Sequence, residues 1–293
     1  MLRRIAKLFR QPGFRQAPLA VLWRGAVWSI NVALGRSPAF ALVPGGAKLR
    51  VASDLRYTSV TAFLLRDAVE PELHHLQKLV PEGGVFVDVG ANIGLFTLKA
   101  APLASRVVAV EPGEAAGRQL DANVALNGYR HVSVVRKALS DAPGRAALFH
   151  NPAGDDPQAF SLISDGSATG SEPVELTTLD TLVAQLELPR VDCIKIDVEG
   201  AEAPVLAGGI AVLERDRPTV IFEMNCTTLD RSGGDPLAGW NRLAALGYGF
   251  YRMRDDGTLA AIAAPPADFC NVIARHPDGR RVRHGDGSRP IAT

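Results

Sequence analysis

The stretch VFVDVGANIGLF, residues 85–96, joins a short apolar segment to a turn that contains two glycines. Four of its first five residues are apolar and three are valine, which is typical of a strand buried on both faces of a parallel sheet. Gly90 and Gly94 then stand on either side of Asn92. A glycine turn between a strand and a helix lets the backbone approach a ligand and points free amide groups at it. The stretch therefore predicts a ligand site at the carboxyl end of this strand.

From residue 85 onward, short apolar runs alternate with helix-like segments, which is the pattern of βα units on a mostly parallel sheet. The predicted strands are 85–89, 106–111, 132–135, 192–198 and 219–224. The predicted helices are 95–103, 114–127, 178–186 and 201–213, with Gly128 as a C-terminal cap and Thr177 or Thr178 as an N-terminal cap. Near the end, 248–253, the turn DDG and the apolar runs that follow it predict a hairpin that closes the sheet.

Two segments outside this alternation have a predicted structure of their own. Residues 39–54 predict a small β-hairpin around Pro44-Gly45-Gly46, and 70–84 predict a helix that leads into the first core strand. Residues 150–175 are rich in Gly, Ser, Asp and Pro and interrupt the alternation. We expect them to form a long loop, and their position after the third core strand favours contact with a substrate over a plain surface excursion.

The charge of the chain is unevenly distributed. Residues 1–53 hold nine Lys or Arg and no Asp or Glu, whereas the remainder holds 23 basic and 31 acidic residues. Arg24 interrupts the apolar run PLAVLWRGAVWSINVALG, so the uninterrupted pieces are shorter than the roughly 20 residues that span a bilayer. We expect an amphipathic helix that lies on the body of the protein, and peripheral contact with an anionic membrane surface is the alternative.

The predicted organisation has three parts: a basic helical arm with the start of the hairpin (1–53), a main domain (54–276) and a disordered tail (277–293). The three cysteines are far apart and lack CxxC spacing, which argues against disulfides and structural zinc. No HxxxH or HExxH pair exists, so no metal is expected. A reducing, cytoplasmic location is expected, and 26 arginines against 6 lysines suggest a GC-rich bacterial source.

The turn after the first strand excludes two common phosphate sites. A dinucleotide-binding G-x-G-x-x-G that begins at Gly90 would need glycine at 92 and 95, where Asn92 and Leu95 stand, and no GK[ST] follows for a P-loop. Asp88 would repel a pyrophosphate but suits a cofactor with an ammonium group. Glu111, at the tip of the second strand, could accept hydrogen bonds from both hydroxyls of a ribose, although an exposed acid before Pro112 is the plain alternative. Together these residues favour S-adenosylmethionine (SAM).

An ordered set of motifs resembles the FkbM-type SAM-dependent methyltransferases over roughly residues 60–225. The motifs are FVDVGANIGLFT, AVEP, N-x-x-L-N-G, ALSD, TLDTL, DCIKIDVEGAE and IFEMN. The resemblance implies a Rossmann-like class I methyltransferase fold, with a seven-stranded, mostly parallel sheet, an antiparallel last strand and helices on both faces. It also implies O-methylation of a hydroxyl on a sugar, glycan or polyketide-type natural product.

The resemblance also implies roles for individual residues. The methionine part of SAM would contact Asp88, Gly90, Asn92 and Gly94, the ribose would bind Glu111, and the adenine would be flanked by Ala138, Leu139, Ser140 and Asp141. Asp197 and Glu199, at the end of the fourth strand, would lie beside the methyl-transfer site.

Methyl transfer to a neutral hydroxyl needs a base for the departing proton. In a strand, Asp197 and Glu199 would point to the same side, and crowded acids raise one another's pKa, which suits a base. Glu199 or Glu202 could instead cap the following helix. Glu223 is a further acid of the predicted cleft, and Lys195 is expected to pack or pair rather than to catalyse.

Two other functions are compatible with the same fold. One is a non-catalytic binding protein, although the intact Asp88, Gly90, Gly94 and Glu111 argue against it. The other is a methyltransferase that acts on protein or nucleic acid, prompted by the basic arm. The acidic remainder of the chain and the lack of a base-extruding tetrad after the fourth strand argue against nucleic acid as a partner.

Overall fold

The computed structural model describes residues 12–54, 56–150, 160–162, 168, 170–224, 235–280 and 282. The α-helices are Pro12–Gln16 (α1), Pro18–Ala33 (α2), Tyr57–Leu65 (α3), Pro71–His74 (α4), Leu95–Ala100 (α5), Glu114–Leu126 (α6), Leu179–Gln185 (α7), Glu202–Ala207 (α8), Ile210–Asp216 (α9) and Ala238–Ala245 (α10). Short 3₁₀ helices occupy Arg66–Val69 and Leu76–Lys78.

The strands divide between the core of the protein and its periphery. In chain order they are Ala39–Ala41 (β1), Lys48–Arg50 (β2), Val85–Val89 (β3), Arg106–Val110 (β4), Val132–Val135 (β5), Ala138–Leu139 (β6), Gly144–His150 (β7), Phe160–Ser161 (β8), Gly170–Thr177 (β9), Cys193–Ile196 (β10), Thr219–Met224 (β11), Gly249–Met253 (β12), Leu259–Ile262 (β13) and Cys270–Arg275 (β14).

The central sheet has eight strands in the order β13-β12-β14-β11-β10-β3-β4-β5. The five strands from β11 to β5 are mutually parallel, and the last strand, β14, is antiparallel to both of its neighbours. The predicted mostly parallel sheet with an antiparallel last strand is confirmed. The eighth strand is β13. The predicted turn at Gly257 joins β12 to β13, and the two strands pair antiparallel at the edge of the sheet.

Helices cover both faces of this sheet because its central strands are apolar on both sides. Val85, Val87 and Val89 of β3 pack with α7, α8, α9 and α10 on one face. Phe86, between them, packs with α5 and the leucines of the segment before β3 on the other face. Strand residues alternate between faces, so a continuously apolar strand can build both cores at once.

The predicted helix over 201–213 is wrong, because the chain forms two helices with Gly208 and Gly209 between them. A Cβ at Gly208 would lie 2.1 Å from the carbonyl oxygen of Ser140, and one at Gly209 would lie 2.6 Å from Leu179. The carboxylate of Asp180 then accepts the backbone N–H groups of Ala211 and Val212, at 3.1 and 2.9 Å, and caps a new helix. Close packing at the glycines and this distant cap divide the segment.

The predicted long loop over 150–175 is also wrong where the structure describes it. Residues 170–177 form β9, which pairs antiparallel with β7 and lies in a second sheet of order β6-β9-β7-β8. Pro173 is tolerated because β6 pairs only with Leu176 and Thr177, which leaves the β6 side of β9 unpaired at that point. Residues 151–159, 163–167 and 169 of the predicted loop lie outside the described residues.

Before β3, the predicted helix over 70–84 is reduced to α4 and a 3₁₀ turn. Leu73, Leu76 and Leu79 are almost fully buried. Their spacing of three residues matches the 3₁₀ period, so tighter turns keep all three against the sheet. At the other end of the chain, Arg280 in the predicted tail donates to Asp192 at 3.3 Å, and 283–293 lie outside the described residues.

The predicted N-terminal hairpin forms, with Gly45 in a left-handed conformation in its turn. Two asparagines, one in the last turn of α6 and one at its C-cap, attach it to the body. Asn123 accepts the Arg50 N–H at 2.9 Å and donates to the Ile93 carbonyl at 2.8 Å. Asn127, one turn later, accepts the Lys48 N–H at 2.7 Å and donates to the Lys48 carbonyl at 2.6 Å. The motif N-x-x-L-N-G thus docks a strand edge on a helix.

Asn123→Ala should lower the free energy of unfolding by about 3 kcal/mol. Asn123 is fully buried, so its loss leaves the partly buried N–H of Arg50 and the buried carbonyl of Ile93 without partners. The matched variant Asn127→Ala should lose about 1 kcal/mol or less, because water can replace its partly exposed bonds. Urea denaturation of both variants measures the difference, and equal losses would contradict this account of the hairpin.

Candidate active site

A cleft lies where the carboxyl ends of β3, β4 and β10 meet, and it contains two adjoining cavities that open to solvent, with about 700 and 720 Å³ of empty space when the open solvent is included. The first, here called the Glu111 cavity, is also lined by Ala138, Leu139, Leu148, Leu162 and Glu199. The second, here called the Lys195 cavity, is also lined by Thr58, Thr61, Glu70, Asp88 and Phe96. Gly90, Asn92 and Asp197 line both cavities, so the two meet at these residues.

The turn after β3 follows the predicted glycine pattern, but neighbouring protein groups explain both glycines. Gly90, Asn92 and Gly94 all have positive φ, at 79°, 50° and 99°. A Cβ on Gly90 would lie 1.8 Å from the carbonyl oxygen of Asp197, and one on Gly94 would lie 2.7 Å from Leu120. Gly90 still lines both cavities, whereas Gly94 is absent from both linings and serves as the N-cap of α5.

Asp88 lies beneath the turn, in the wall of the Lys195 cavity, and is 2% exposed. Its Oδ2 accepts the Thr97 hydroxyl at 2.6 Å. Burial raises the pKa of Asp88 to about 6, against the opposing effect of the Thr97 bond. The residue therefore contributes a buried carboxyl group whose charge depends on pH near neutrality.

Glu111 stands at the end of β4 and holds the turn in place. Its two carboxylate oxygens accept the backbone N–H groups of Asn92 and Gly113, each at 2.8 Å. Each oxygen has a second lone pair, so the carboxylate can still accept hydrogen bonds from a ligand. Burial raises the pKa of Glu111 to about 7, although the two backbone bonds favour the ionised form.

Asn92 supplies a second acceptor at the junction of the cavities. Its Oδ1 is buried and accepts no hydrogen bond from the part of the chain that the structure describes. Buried polar atoms of this kind are normally paired, so an unpaired acceptor in a cavity wall fits a ligand that donates a hydrogen bond.

Asp197 lies at the same junction and pairs with a buried lysine. The Nζ of Lys195, which is 1% exposed, lies 3.1 Å from Asp197 Oδ2 and 3.5 Å from the side-chain oxygen of Asn271. Burial lowers the pKa of Lys195, but the carboxylates of Asp197, Glu70 and Glu223 raise it above its ordinary value. Lys195 is therefore a permanent cation that holds one oxygen of Asp197.

The structure places Glu199 in the wall of the Glu111 cavity, but not through the strand spacing that predicted it. Strand β10 ends at Ile196, and Glu199 lies in a turn with a φ of 53°. The Ser161 hydroxyl donates to the Glu199 carbonyl at 2.8 Å, which attaches the second sheet to this turn. Glu202 is buried and accepts the N–H groups of Val198 and Gly200, so it stabilises the turn.

Three polar residues near Lys195 were missed by the sequence reasoning, and of these Glu70 lines the Lys195 cavity. Asn271 of β14 donates to Glu70 at 2.7 Å and to Glu72 at 3.4 Å, and its side-chain oxygen faces Lys195. Burial raises the pKa of Glu70, and it raises the pKa of Glu72 to about 7. Their contacts span about 200 positions of sequence, so no local pattern indicates them. The one sequence feature that could have indicated this group of residues is the pair of glutamates on either side of Pro71.

The predicted adenine segment divides into two parts. Ala138 and Leu139 line the Glu111 cavity, whereas Ser140 and Asp141 are absent from its lining and hydrogen-bond to each other at 3.1 Å. The missed apolar contributions are Leu148 of β7 and Leu162, which follows β8. Across the described ranges, no group of three His, Cys, Asp or Glu side chains could hold a metal ion.

Glu223, at the end of β11, has a buried oxygen that lacks a hydrogen bond within the described residues. Burial raises its pKa well above the ordinary value, and the carboxylates of Asp197, Glu199 and Glu202 raise it further. The expected crowding of acids in the cleft is therefore present, and it adds to the effect of burial on the pKa of Glu223.

The part of the chain that forms the cleft is also the part that matches known proteins. Residues 88–250 match the family described as the methyltransferase FkbM domain. Methyltransferase sdnD of Sordaria araneosa is 31% identical over 233 residues, which cover 68% of this chain and 84% of sdnD. The AMB antimetabolite synthetase AmbE of Pseudomonas aeruginosa is 31% identical over 189 residues, which cover 50% of this chain and 9% of AmbE.

Among solved structures, methyltransferase FkbM from Methylobacillus flagellatus is similar with a TM-score of 0.46 and 16% sequence identity. The match covers 74% of this chain and 54% of that chain.

Glu111→Gln should change how stability depends on pH. In the wild type, the folded pKa of about 7 exceeds the ordinary value of 4.5, so the folded state holds the proton more tightly and loses stability as pH rises between these values. The variant lacks this loss, so its free energy of unfolding relative to wild type should rise by about 2.5 kcal/mol from pH 5 to pH 8. Urea denaturation across this range measures it, and a constant difference would contradict the assignment.

Proposed function

Because this chain belongs to the FkbM methyltransferase family, we propose that it uses SAM to methylate a hydroxyl group on a sugar, glycan or polyketide-type natural product. The observation that carries the proposal is the junction at Gly90, Asn92 and Asp197, where the cavity that contains the Glu111 carboxylate meets the cavity that contains the Lys195–Asp197 ion pair.

The hydrogen-bond acceptors of the Glu111 cavity fit SAM. Glu111 would accept hydrogen bonds from the two ribose hydroxyls, and the unpaired Oδ1 of Asn92 would accept one from the ammonium group. Apolar side chains of Leu139, Leu148 and Leu162 would contact the adenine. When bound, SAM supplies a methyl group on a sulfonium cation, and the carboxyl groups around the junction favour a cationic ligand over a pyrophosphate.

Asp197 is the group that we assign as the base. It lies at the junction of the two cavities, and its exposed fraction of about a third leaves it accessible from the cleft. Because Lys195 holds Oδ2, the second oxygen remains available for the proton of an acceptor hydroxyl. Glu199, in the wall of the Glu111 cavity, is a second candidate for this role.

The Lys195 cavity is the proposed acceptor site. Its wall combines the hydroxyl groups of Thr58 and Thr61 with the apolar Leu73 and Phe96. A mixed lining of this kind suits a molecule that has both hydroxyl groups and apolar surface. The similarity to AmbE, an antimetabolite synthetase, supports a natural product as the acceptor.

Isothermal titration should detect SAM binding by the wild type and no binding of NAD. Glu111→Gln should weaken SAM binding at least tenfold, because an amide replaces a charged acceptor of two hydrogen bonds. The control Glu82→Gln changes an exposed acid outside both cavities and should bind as the wild type does. A wild-type protein that binds NAD and not SAM would refute the proposed cofactor.

Asp197→Asn should leave SAM affinity within about threefold and lower turnover at least about 100-fold, because an amide cannot take the proton. Release of S-adenosylhomocysteine from SAM with a panel of hydroxylated sugars and polyketides measures the rate. Asp255→Asn, at an exposed aspartate outside both cavity linings, is the matched control and should retain full turnover. Unchanged turnover in Asp197→Asn would remove Asp197 from the role of base.

A further inference from the structure

Helix α2 carries apolar side chains on the side that faces away from the protein. Leu19 is 81% exposed and Trp23 is 71% exposed, and Leu22, Ile30 and Leu34 are each more than half exposed. Residues 19, 22, 23, 26 and 30 follow steps of three and four, so they form one stripe along the helix. Isolated exposed apolar residues are ordinary, but a continuous stripe marks an interaction surface.

The opposite side of α2 is fixed to the body of the protein. Val21 and Trp28 are 2% and 3% exposed, and the ring of Trp28 lies 4.9 Å from that of Phe63 in α3. Arg24, which interrupts the apolar run in the sequence, donates to the carbonyl of Leu64 at 2.9 Å. The expected packing on the body is therefore present, but it uses one face of the helix and leaves the apolar stripe exposed.

The charges around the stripe indicate which kind of surface the stripe would bind. Exposed arginines stand on either side of α2, Arg15 before it and Arg36 after it. All nine charged residues of 1–53 are basic, whereas the rest of the chain is acidic overall. Trp and Leu on one face with basic residues around it are typical of helices that lie in the interface of an anionic bilayer. A membrane-spanning role does not fit, because no helix in the described residues is long and apolar enough to cross a bilayer.

We propose that the exposed stripe of α2 docks the protein on an anionic lipid surface. The helix lies in the plane of the membrane, with Leu19, Leu22, Trp23 and Ile30 inserted among the lipids and the basic residues against the headgroups. The acidic remainder of the chain is repelled by the same surface, so the charge asymmetry orients the protein with this face toward the membrane. Because α2 packs on α3, docking also sets the orientation of the helix that carries Thr58 and Thr61 of the Lys195 cavity.

Sedimentation of the full chain with phosphatidylglycerol–phosphatidylcholine vesicles tests the proposal, with pure phosphatidylcholine vesicles as the neutral comparison. We expect binding to the anionic vesicles that is at least tenfold stronger and that falls as salt is raised from 0.05 to 0.5 M. Leu22→Ser with Trp23→Ser should reduce this binding at least tenfold. The matched control Phe269→Ser, which removes another exposed aromatic side chain at 63% exposure, should bind as the wild type does.

Circular dichroism and SAM titration establish that each variant is folded, since all three positions are exposed. Failure of the wild type to bind anionic vesicles would overturn the proposal, and so would equal binding by the Leu22→Ser, Trp23→Ser variant. Light scattering adds a further test. A dimer that this double variant abolishes, without vesicle binding by the wild type, would assign the stripe to a second copy of the chain instead. SAM binding is independent of these outcomes and tests the proposed function separately.

Discussion

The contact between Gly90 and the carbonyl oxygen of Asp197 is the constraint on which the cleft depends. At this point the turn that leaves β3 lies against the end of β10, with no room for a side chain between them. The two strands are paired in parallel, so their carboxyl ends reach the same edge of the sheet. Because the turn is held this close, Gly90, Asn92 and Asp197 become shared walls of two cavities. A larger residue at position 90 would separate the strand ends and open the junction.

Electrostatics in the cleft follow from burial more than from pairing. Glu111 and Asp88 are both nearly inaccessible, and removal from water raises the pKa of each toward neutrality. Lys195 offsets part of the negative charge and fixes one oxygen of Asp197. Buried ion pairs contribute little net stability, because desolvation opposes the attraction, so such a concentration of charge is better explained by function than by folding.

Much of the fold was predictable from periodicity and turn chemistry. The strands 85–89, 132–135 and 219–224 lie where predicted, as does the cap at Gly128, and Thr178 accepts the N–H of Thr181 as an N-cap does. The failures have physical causes that the local sequence does not carry. The helix over 201–213 divides because Gly208 meets Ser140 and because Asp180 caps the second half. The segment 170–177 is a strand because β7 supplies a partner, although its composition is typical of a loop.

The same distinction applies to the site. The sequence by itself determined the glycine turn, the acids near the ends of β3, β4, β10 and β11, and the apolar strands that place them at one edge of a sheet, because these depend on short-range spacing. The tertiary structure alone decided which of those residues meet. It brings Glu111 and Asp197 into one cleft, leaves Gly94, Ser140 and Asp141 out of its walls and adds Glu70, which Asn271 holds from a distant segment. Likewise, the sequence predicts a helix at α2, but only packing determines which face is buried and which remains exposed, because both faces are apolar.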